Sequence, residues 1–401
     1  MSKIFNDPVY GFVTIPQGIL FQLIEHPWFQ RLRRISQLGL TGYVYPGALH
    51  TRFHHALGAL HLMREAIEAL RSKEVEITTE EQEAACIAIL LHDIGHGPFS
   101  HALEHTLVDI HHEELSLLLM ERLNVVFDGK LTMAISIFKD VYPKKFLHQL
   151  VSGQLDMDRM DYLNRDSFFT GVSEGVIGYH RIIKMLDVKD GGLVVEEKGI
   201  YSIENFLIAR RLMYWQVYLH KTAVCAEKML IQVLRRAKEL AKDGWLPEVS
   251  HSLAFFFNGA VVPAGQGGGI QTILHHFSRL DDNDIYFALK QFADCDDPIL
   301  SYLSNCLLNR KLLKIELQNA PFESDYIEQI RLKIRKHFGD AAETYLLIMG
   351  KESNRAYNDQ KDEIRILYKD GKVLALSENL DYEVNSKVVI KYYICYPKNL
   401  L

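Results

Sequence analysis

The sequence has no surplus of basic residues, since 45 lysines and arginines stand against 51 aspartates and glutamates and the net charge is -6. Long-range attraction to a nucleic-acid backbone depends on such a surplus, so a nucleic-acid partner is not expected. If the ligand is a polyanion, local cations must overcome a repulsive background.

Long apolar runs are also lacking. No stretch of the sequence approaches the roughly 18 apolar residues of a membrane span. The first residues, MSKIFNDPVYG, contain no apolar segment of signal-peptide length. We therefore expect a soluble, cytoplasmic protein with no membrane contact.

Cysteine is sparse, and the five cysteines are scattered without any C-x-x-C spacing. This pattern predicts reduced, mostly buried thiols instead of zinc ligands or disulfides.

The glycine-rich stretch 264–269 (AGQGGG) lacks the Gly-Lys-Ser/Thr ending of a phosphate-binding loop. It is interpreted as a flexible linker.

Most of the apolar residues recur at helical spacing. This spacing predicts two helices within 18–38, separated by Pro27. It predicts further helices at 53–70, 80–92, 101–109, 112–124, 131–140, 144–152, 155–167 and 204–243.

Strand-like patterns are few. Residues 191–203 alternate around a Lys-Gly turn and predict a small hairpin. After about residue 360, EIRILY, KVLALS and SKVVIKYYICY predict one short antiparallel sheet. The expected fold class is mainly α, with a helical domain over 1–320 and a small β-containing α+β lobe over 321–401.

Ten of the 18 histidines lie between His50 and His112. His92 and Asp93 follow the apolar end of a predicted helix, so both are expected to be buried. A buried carboxylate beside a buried imidazole favours a divalent metal. His55 and Asp158 lie on two other predicted helices, and helical bundles build metal sites from side chains of facing helices.

Each of these residues also has an ordinary structural interpretation. His55 taken alone could be a core histidine with a hydrogen-bond partner. Asp156 and Asp161 are alternatives to Asp158, and any of the three could be a solvated acid on a helix face. Co-occurrence with the flanking motifs favours the metal site.

Seven stretches form a more specific pattern: FNDPVYG, PWFQRLRRISQLG, YPGALHTRFHHALG, LLHDIGHGPFSH, HHEELS, LDMDRMDYLNRD and, more weakly, ARRLMYWQVYLHK. In this order, over residues 3 to about 221, they resemble the HD-domain dNTP triphosphohydrolases. That family includes a mammalian enzyme with an N-terminal sterile-alpha-motif domain, and it has bacterial relatives. The resemblance covers just over half the chain and implies an HD-domain helical bundle. Because the pattern begins at residue 3, no sterile-alpha-motif domain is expected.

The resemblance implies that His55, His92, Asp93 and Asp158 are the ligands of one divalent metal ion per active site. Mixed imidazole and carboxylate ligands suit Mn, Fe, Ni, Co or Zn, whereas Mg prefers all-oxygen sites. The sequence does not choose among these metals.

The same resemblance assigns the residues around the metal. It implies that His101 is the general acid for the leaving 5′ oxygen, that Glu104 and His112 support it, and that His96 contacts the phosphates. On a helix, His101 and Glu104 at i and i+3 would face the same way. His96 and His112 could also be mere supporting or surface histidines.

A triphosphate needs several cations, and the candidates are Arg52, Arg159 and Arg210, with Lys221 weaker. The family usually has lysine where Arg159 stands, so the charge is kept and the geometry changes.

The resemblance further implies a sugar-binding set in which Tyr218 packs under the sugar. Its other members would bind the 3′-hydroxyl: Gln37, the Leu38 backbone, Tyr162 and Asp166. Tyr162 and Asp166 share a helix face with Asp158. The two tyrosines could equally be core aromatics.

In the family a nucleotide activator binds between subunits. The matching positions here are Lys3, Asn6, Glu25, Gln30 and Arg33. Gln30 and Arg33 could equally form a solvated helix face. The resemblance therefore implies a homo-oligomer, either a dimer or a tetramer, that binds a nucleotide substrate and a nucleotide activator.

The expected function is that of a metal-dependent deoxynucleoside triphosphate triphosphohydrolase, which releases deoxynucleoside and triphosphate. One alternative is another HD-type nucleotide phosphohydrolase, such as a monophosphatase or phosphodiesterase. The other is a nucleotide-sensing or nucleic-acid-binding protein with a non-catalytic HD site, although the net charge and the complete ligand set count against it.

Overall fold

The computed structural model of the chain describes residues 2–99, 104, 106–245, 247–259, 267–354, 363–378 and 388–400. Within them the fold is mainly α-helical with a few small sheets, as the sequence predicts. The helices are α1 Ile19–Glu25, α2 Pro27–Gln30, α3 Arg52–Arg71, α4 Thr79–Leu91, α5 His112–Val126, α6 Thr132–Phe138, α7 Lys145–Val151, α8 Met157–Thr170, α9 Tyr179–Met185, α10 Ile200–Met213, α11 Lys221–Lys242, α12 His251–Phe257, α13 Gly267–Phe277, α14 Asp282–Ala293, α15 Pro298–Leu308, α16 Ser324–Phe338 and α17 Glu343–Leu346. Among the described residues, none of the helices combines the length and the apolar character that crossing a bilayer requires.

The strands are β1 Lys3–Asp7, β2 Gly11–Ile15, β3 Leu186–Lys189, β4 Gly192–Glu196, β5 Lys314–Gln318, β6 Ile348–Asn354, β7 Arg365–Leu367, β8 Val373–Ala375 and β9 Val389–Tyr396. They form three sheets, with the strand orders β1-β2, β3-β4-β7-β8 and β5-β9-β6. The sequence does not reveal the first hairpin. The domain boundary at residue 320 stays a prediction, and β5–β9 and β4–β7 pair across it.

Two strand predictions are corrected. β7 and β8 pair antiparallel as expected, but β9 joins β5 and β6 in a different sheet. The hairpin predicted at 191–203 lies earlier, between β3 and β4. Its turn is Asp190-Gly191, both with positive φ, which suits the Asp-Gly hairpin turn.

Three helix predictions also change. The helix expected over 204–243 is divided by a π-helical segment, Tyr214–Tyr218, and the chain restarts at Lys221 after His220 caps the Thr222 N–H. Of the predicted linker 264–269, the last three residues begin α13 and the others lie outside the described residues. Most of the helix expected at 101–109 also lies outside them, and residues 106–109 are not helical.

α3 is the central helix of the site, because it packs against both α4 and α8. α4 begins with a capping box between Thr78 and Glu81 and is buried continuously over its last two turns, Ala84–Leu91. A helix that runs from solvent into the core carries its C-terminal end into the interior. Consequently His92 and Asp93, directly after α4, face α3 and α8.

The loop after α4 lies very close to α5. Gly95 N donates to Ser116 Oγ over 2.9 Å, and Ser116 Oγ donates to the His92 carbonyl over 2.7 Å. A Cβ on Gly95 would overlap the backbone of His112 and Ser116, whereas a Cβ on Gly97 would meet, among the described residues, the Phe277 ring at 3.4 Å. The first glycine of HDIGHG therefore permits the close approach of loop and helix.

We expect Gly95→Ala to lower the free energy of unfolding by about 1–3 kcal/mol, because backbone atoms must shift to admit the methyl group. The matched control Gly97→Ala should stay within about 0.5 kcal/mol of the wild type. Denaturant unfolding measures both. Equal stability of the two variants would contradict the close approach.

Candidate metal centre and nucleotide cavity

Four side chains from three helices converge at the buried end of α4. The Nε2 atoms of His55 and His92 lie 3.3 Å apart, and Asp158 Oδ1 is 3.1 Å from the first and 3.4 Å from the second. Asp93 Oδ1 lies 3.3 Å from His92 Nε2, and the other oxygen, Asp93 Oδ2, lies 3.8 Å from His55 Nε2. Ligands about 2.1 Å from one ion lie about 3 Å from each other at right angles. The donor atoms of His55, His92 and Asp93 all lie within 4.8 Å of one another, and Asp158 approaches both histidines, so the arrangement suits a divalent cation.

Both imidazoles turn Nε2 toward the common point because Nδ1 is bound elsewhere. His55 Nδ1 lies 2.7 Å from Asp161 Oδ2, and His92 Nδ1 lies 2.6 Å from the Ile89 carbonyl oxygen. An acceptor on Nδ1 fixes the tautomer and leaves Nε2 as the metal-binding atom.

The structure separates the three neighbouring aspartates. Asp156 caps α8 by accepting the Arg159 N–H, Asp158 faces the two histidines, and Asp161 supports His55. His54 does not join the ligands, since its Nδ1 lies 3.2 Å from the backbone N of Thr51 at the start of α3.

The charges at this point stabilise one another. Burial lowers the pKa of His55, but hydrogen bonds with Asp158 and Asp161 outweigh burial and raise the pKa to about 10. Burial raises the pKa of Asp158, and the hydrogen bonds with His55 and His92 outweigh burial and hold it below its usual range. A cation that binds between ionised carboxylates and these imidazoles must displace protons from the imidazoles.

The histidines beside the metal ligands form a second group. His96 Nε2 is 3.3 Å from Asp93 Oδ1, and the His96 ring stacks on His112 with 4.0 Å between centroids. Glu104 Oε1 accepts from the backbone N–H of His112 over 3.0 Å and lies 2.6 Å from its Nδ1. Glu104 thus orients His112. Glu104 itself and the described residues 106–109 are not helical. His101 lies outside the described residues.

A cavity of about 780 Å³ opens from this centre. Its lining contains most of the residues predicted to bind substrate: Gln37, Leu38, Arg52, Arg159, Tyr162, Asp166 and Tyr218, together with His96 and His112. Arg210 is not part of this lining, but its guanidinium lies 6.0 Å from the ring centroid of the lining residue Tyr214, and its Nη1 is 3.2 Å from Gln154 Oε1. The roles of all these residues stay predictions.

The two cavity arginines already pair with acids. Arg52 donates to Asp93, and Arg159 donates to Asp156 and, over 2.6 Å, to the Gly153 carbonyl. Arg159 Nε and Gln37 Oε1 are buried without a hydrogen-bond partner among the described residues. Unpaired buried polar atoms are costly, and both residues belong to the lining of the cavity.

Asp166 has two partners that fix its carboxylate in the cavity. Tyr218 Oη donates to Asp166 Oδ2 over 2.8 Å, and His50 Nε2 lies 2.7 Å from Asp166 Oδ1. Sequence reasoning missed His50, although its place in the histidine-rich region was a signal.

It also missed Asp282, a buried residue at the start of α14. The Asp282 carboxylate accepts the Ser36 N–H over 2.8 Å and the Phe99 N–H over 3.1 Å. One side chain thus ties the segment that carries Gln37 to the loop that carries His96. No local sequence signal marks it, because both contacts span more than 180 residues.

The residues predicted to form an activator site lie on β1, on α1, on α2 and in the 3₁₀ turn that follows α2. Arg33 Nε donates to Gln30 Oε1 over 2.8 Å, and the Arg33 guanidinium lies 3.6 Å from the Phe53 ring centroid. Phe5 on β1 also packs on Phe53. Lys3, Asn6 and Glu25 are exposed, and the activator site stays a prediction.

Residues 52–164 match the HD domain family, and residues 177–245 match the HD associated region. A phosphohydrolase of known structure from Bacteroides thetaiotaomicron is 52% identical to this chain. The structural match covers 99% of this chain and 100% of that protein's chain, with a TM-score of 0.95. The uncharacterized protein YwfO of Bacillus subtilis is 31% identical over 100% of this chain and 93% of its own length.

A further relative is the deoxynucleoside triphosphate triphosphohydrolase SAMHD1 homolog of Dictyostelium discoideum, 33% identical over 60% of this chain and 50% of its own length. The chain therefore spans about half the length of that relative. The protein is an HD-domain phosphohydrolase by class. More narrowly, the chain belongs to the family of HD-domain proteins that resemble the dNTP triphosphohydrolases.

We expect Asp161→Asn to weaken metal binding by roughly 10- to 100-fold, because the amide cannot act as the same charged acceptor for His55 Nδ1. The control is Asp166→Asn. Asp166 is a buried carboxylate on the same helix, and its side chain contacts His50 and Tyr218. Metal content after dialysis against graded Mn²⁺ measures both variants. Wild-type metal content in Asp161→Asn would remove Asp161 from the centre.

Proposed function

We propose that this chain is a metal-dependent deoxynucleoside triphosphate triphosphohydrolase. The convergence of His55, His92, Asp93 and Asp158 at one end of a nucleotide-sized cavity carries this proposal. The presence of Asp166 and Tyr218 in the lining of the same cavity supports it, since a hydrogen-bonded carboxylate and phenol suit a sugar hydroxyl.

A divalent ion held by the four ligands would polarise the phosphate and lower the pKa of a bound water. The chain's own residues would do the rest. Arg52 and Arg159 would stabilise the charge that develops on the phosphates, and His96 would contact the same group. Gln37 Oε1 would accept a hydrogen bond from the 3′-hydroxyl. That bond would supply the partner that Gln37 Oε1 lacks among the described residues.

Proton delivery to the leaving 5′ oxygen would come from a histidine beside the metal. The sequence resemblance assigns this role to His101, and His112, held by Glu104, would support it. Tyr218 under the sugar would crowd a 2′-hydroxyl, because its own hydroxyl is fixed on Asp166. A deoxy preference follows from that contact.

Hydrolysis of dNTPs with Mn²⁺, with the products separated, tests the proposal. The expected products are deoxynucleoside and inorganic triphosphate in equal amounts. Inorganic phosphate or pyrophosphate as the first product would instead identify another HD-type phosphohydrolase.

His55→Ala and Asp93→Ala should lose bound metal and hydrolysis together, and full activity in either variant would refute the ligand assignment.

His101→Ala should keep its metal and lose roughly 10²- to 10⁴-fold in turnover, the range for a missing general acid. The control is His105→Ala, which removes an imidazole four residues along the same segment and should leave turnover within a few-fold. An unchanged rate in His101→Ala would show that another group, such as His112, protonates the leaving oxygen.

A further inference from the structure

The cavity continues past Tyr218 along one face of α11. Its lining there consists of Ala223, Val224, Glu227, Lys228 and Ile231. These residues recur at the spacing of a single helix face, and they extend over about 12 Å at 1.5 Å per residue. No motif in the sequence and no role proposed above assigns a function to this part of the cavity.

A neighbouring part of the lining comes from the C-terminal part of the chain. Glu352 on β6 lines the same cavity, and its Oε1 lies 3.0 Å from Lys228 Nζ. The side chains of Lys228 and Glu352 are 21% and 22% exposed, so both are held in place and still reachable from the cavity. β6 is fixed by its pairing with β9, where Glu352 lies opposite Lys391.

The two ends of the cavity differ in charge. The metal end holds two arginines and the proposed divalent ion, whereas the far end holds Glu227, Glu352 and Lys228. Glu227 Oε1 lies 3.7 Å from Lys228 Nζ, so two carboxylates stand against one ammonium. A nucleotide would therefore lie with its phosphates at the metal and its uncharged base toward the far end.

The pair at the far end offers one strong donor beside a carboxylate that can accept two hydrogen bonds. Guanine presents the matching edge, with the O6 acceptor next to the N1–H and N2–H donors. Adenine and cytosine each present a ring-nitrogen acceptor beside one amino group. Thymine presents a single N–H between two carbonyl oxygens, which a carboxylate would repel.

We propose that Lys228 and Glu352 form a base-reading subsite that selects guanine nucleotides. This proposal rests on the proposed function, because it takes the cavity to bind a nucleoside triphosphate. The ion pair separates as the base enters. Lys228 then donates to O6, and the Glu352 carboxylate accepts N1–H and N2–H.

The test compares kcat/KM for dGTP, dITP and dATP. dITP lacks only the N2 amino group, so the wild type should prefer dGTP over dITP by roughly 10- to 100-fold, the effect of one hydrogen bond to a charged group. Glu352→Gln should lower the dGTP-to-dATP ratio by a similar factor, because guanine loses two hydrogen bonds to the carboxylate and adenine loses at most one. Glu227→Gln, a matched loss of one carboxylate beside Lys228, should leave the ratio unchanged.

A wild-type enzyme that does not distinguish dGTP from dITP overturns the subsite, and this comparison needs no variant. A ratio that changes equally in Glu352→Gln and Glu227→Gln also overturns it, since the effect is then one of charge alone. If the wild type releases triphosphate from none of the three nucleotides, the proposed function fails. Equilibrium binding of dGTP and dITP to the Mn²⁺-loaded protein then decides the subsite: tighter binding of dGTP supports it, and equal binding overturns it.

Discussion

The hydrogen bond between His55 Nδ1 and Asp161 Oδ2 is the contact on which the geometry of the candidate metal centre depends. Asp161 is itself held by Arg165, which donates to both of its oxygens and, over 2.9 Å, to Asp7. All four side chains are almost fully buried. Because a buried charge without its partner costs several kcal/mol, the network has one favourable arrangement.

That arrangement requires α3 and α8 to lie unusually close. A Cβ at Gly58 on α3 would overlap the carboxylate of Asp161 and the guanidinium of Arg165. A glycine in the middle of a helix costs about 1 kcal/mol relative to alanine. Here that cost is offset, since the missing side chain makes room for the ion pair that orients His55 and anchors the N-terminal hairpin through Asp7.

Sequence patterns predicted the parts of the site that depend on local structure. The run of apolar residues before His92 predicted a helix that enters the core, and the motif order predicted the three segments on which the candidate ligands lie. Helical spacing alone could not separate Asp156, Asp158 and Asp161, since any of them can face inward. Their separate roles became clear only from the packing of α8 on α3.

The remaining site features depend on contacts between distant segments. Asp282 bridges two loops far from it in the chain, and Glu352 reaches the cavity through a sheet whose strand order the sequence did not predict. The π-helical segment before α11 escaped prediction for a different reason. An extra residue in a helical turn changes the direction of a face without changing the hydrophobic pattern that precedes it.

The net charge of the whole chain says little about phosphate binding, because the local charges decide it. At the metal end, Arg52 and Arg159 pair with Asp93 and Asp156, and Asp158 adds a third carboxylate. The three carboxylates outnumber the two arginines, and the raised pKa of His55 supplies the positive charge that balances the third carboxylate when no metal is bound. A divalent ion held by the candidate ligands would displace the imidazole proton and would compete with Arg52 for the Asp93 carboxylate. The ion would then add a net positive charge, and Arg52, which lies one turn from the candidate ligand His55 on α3, would become available to a phosphate group.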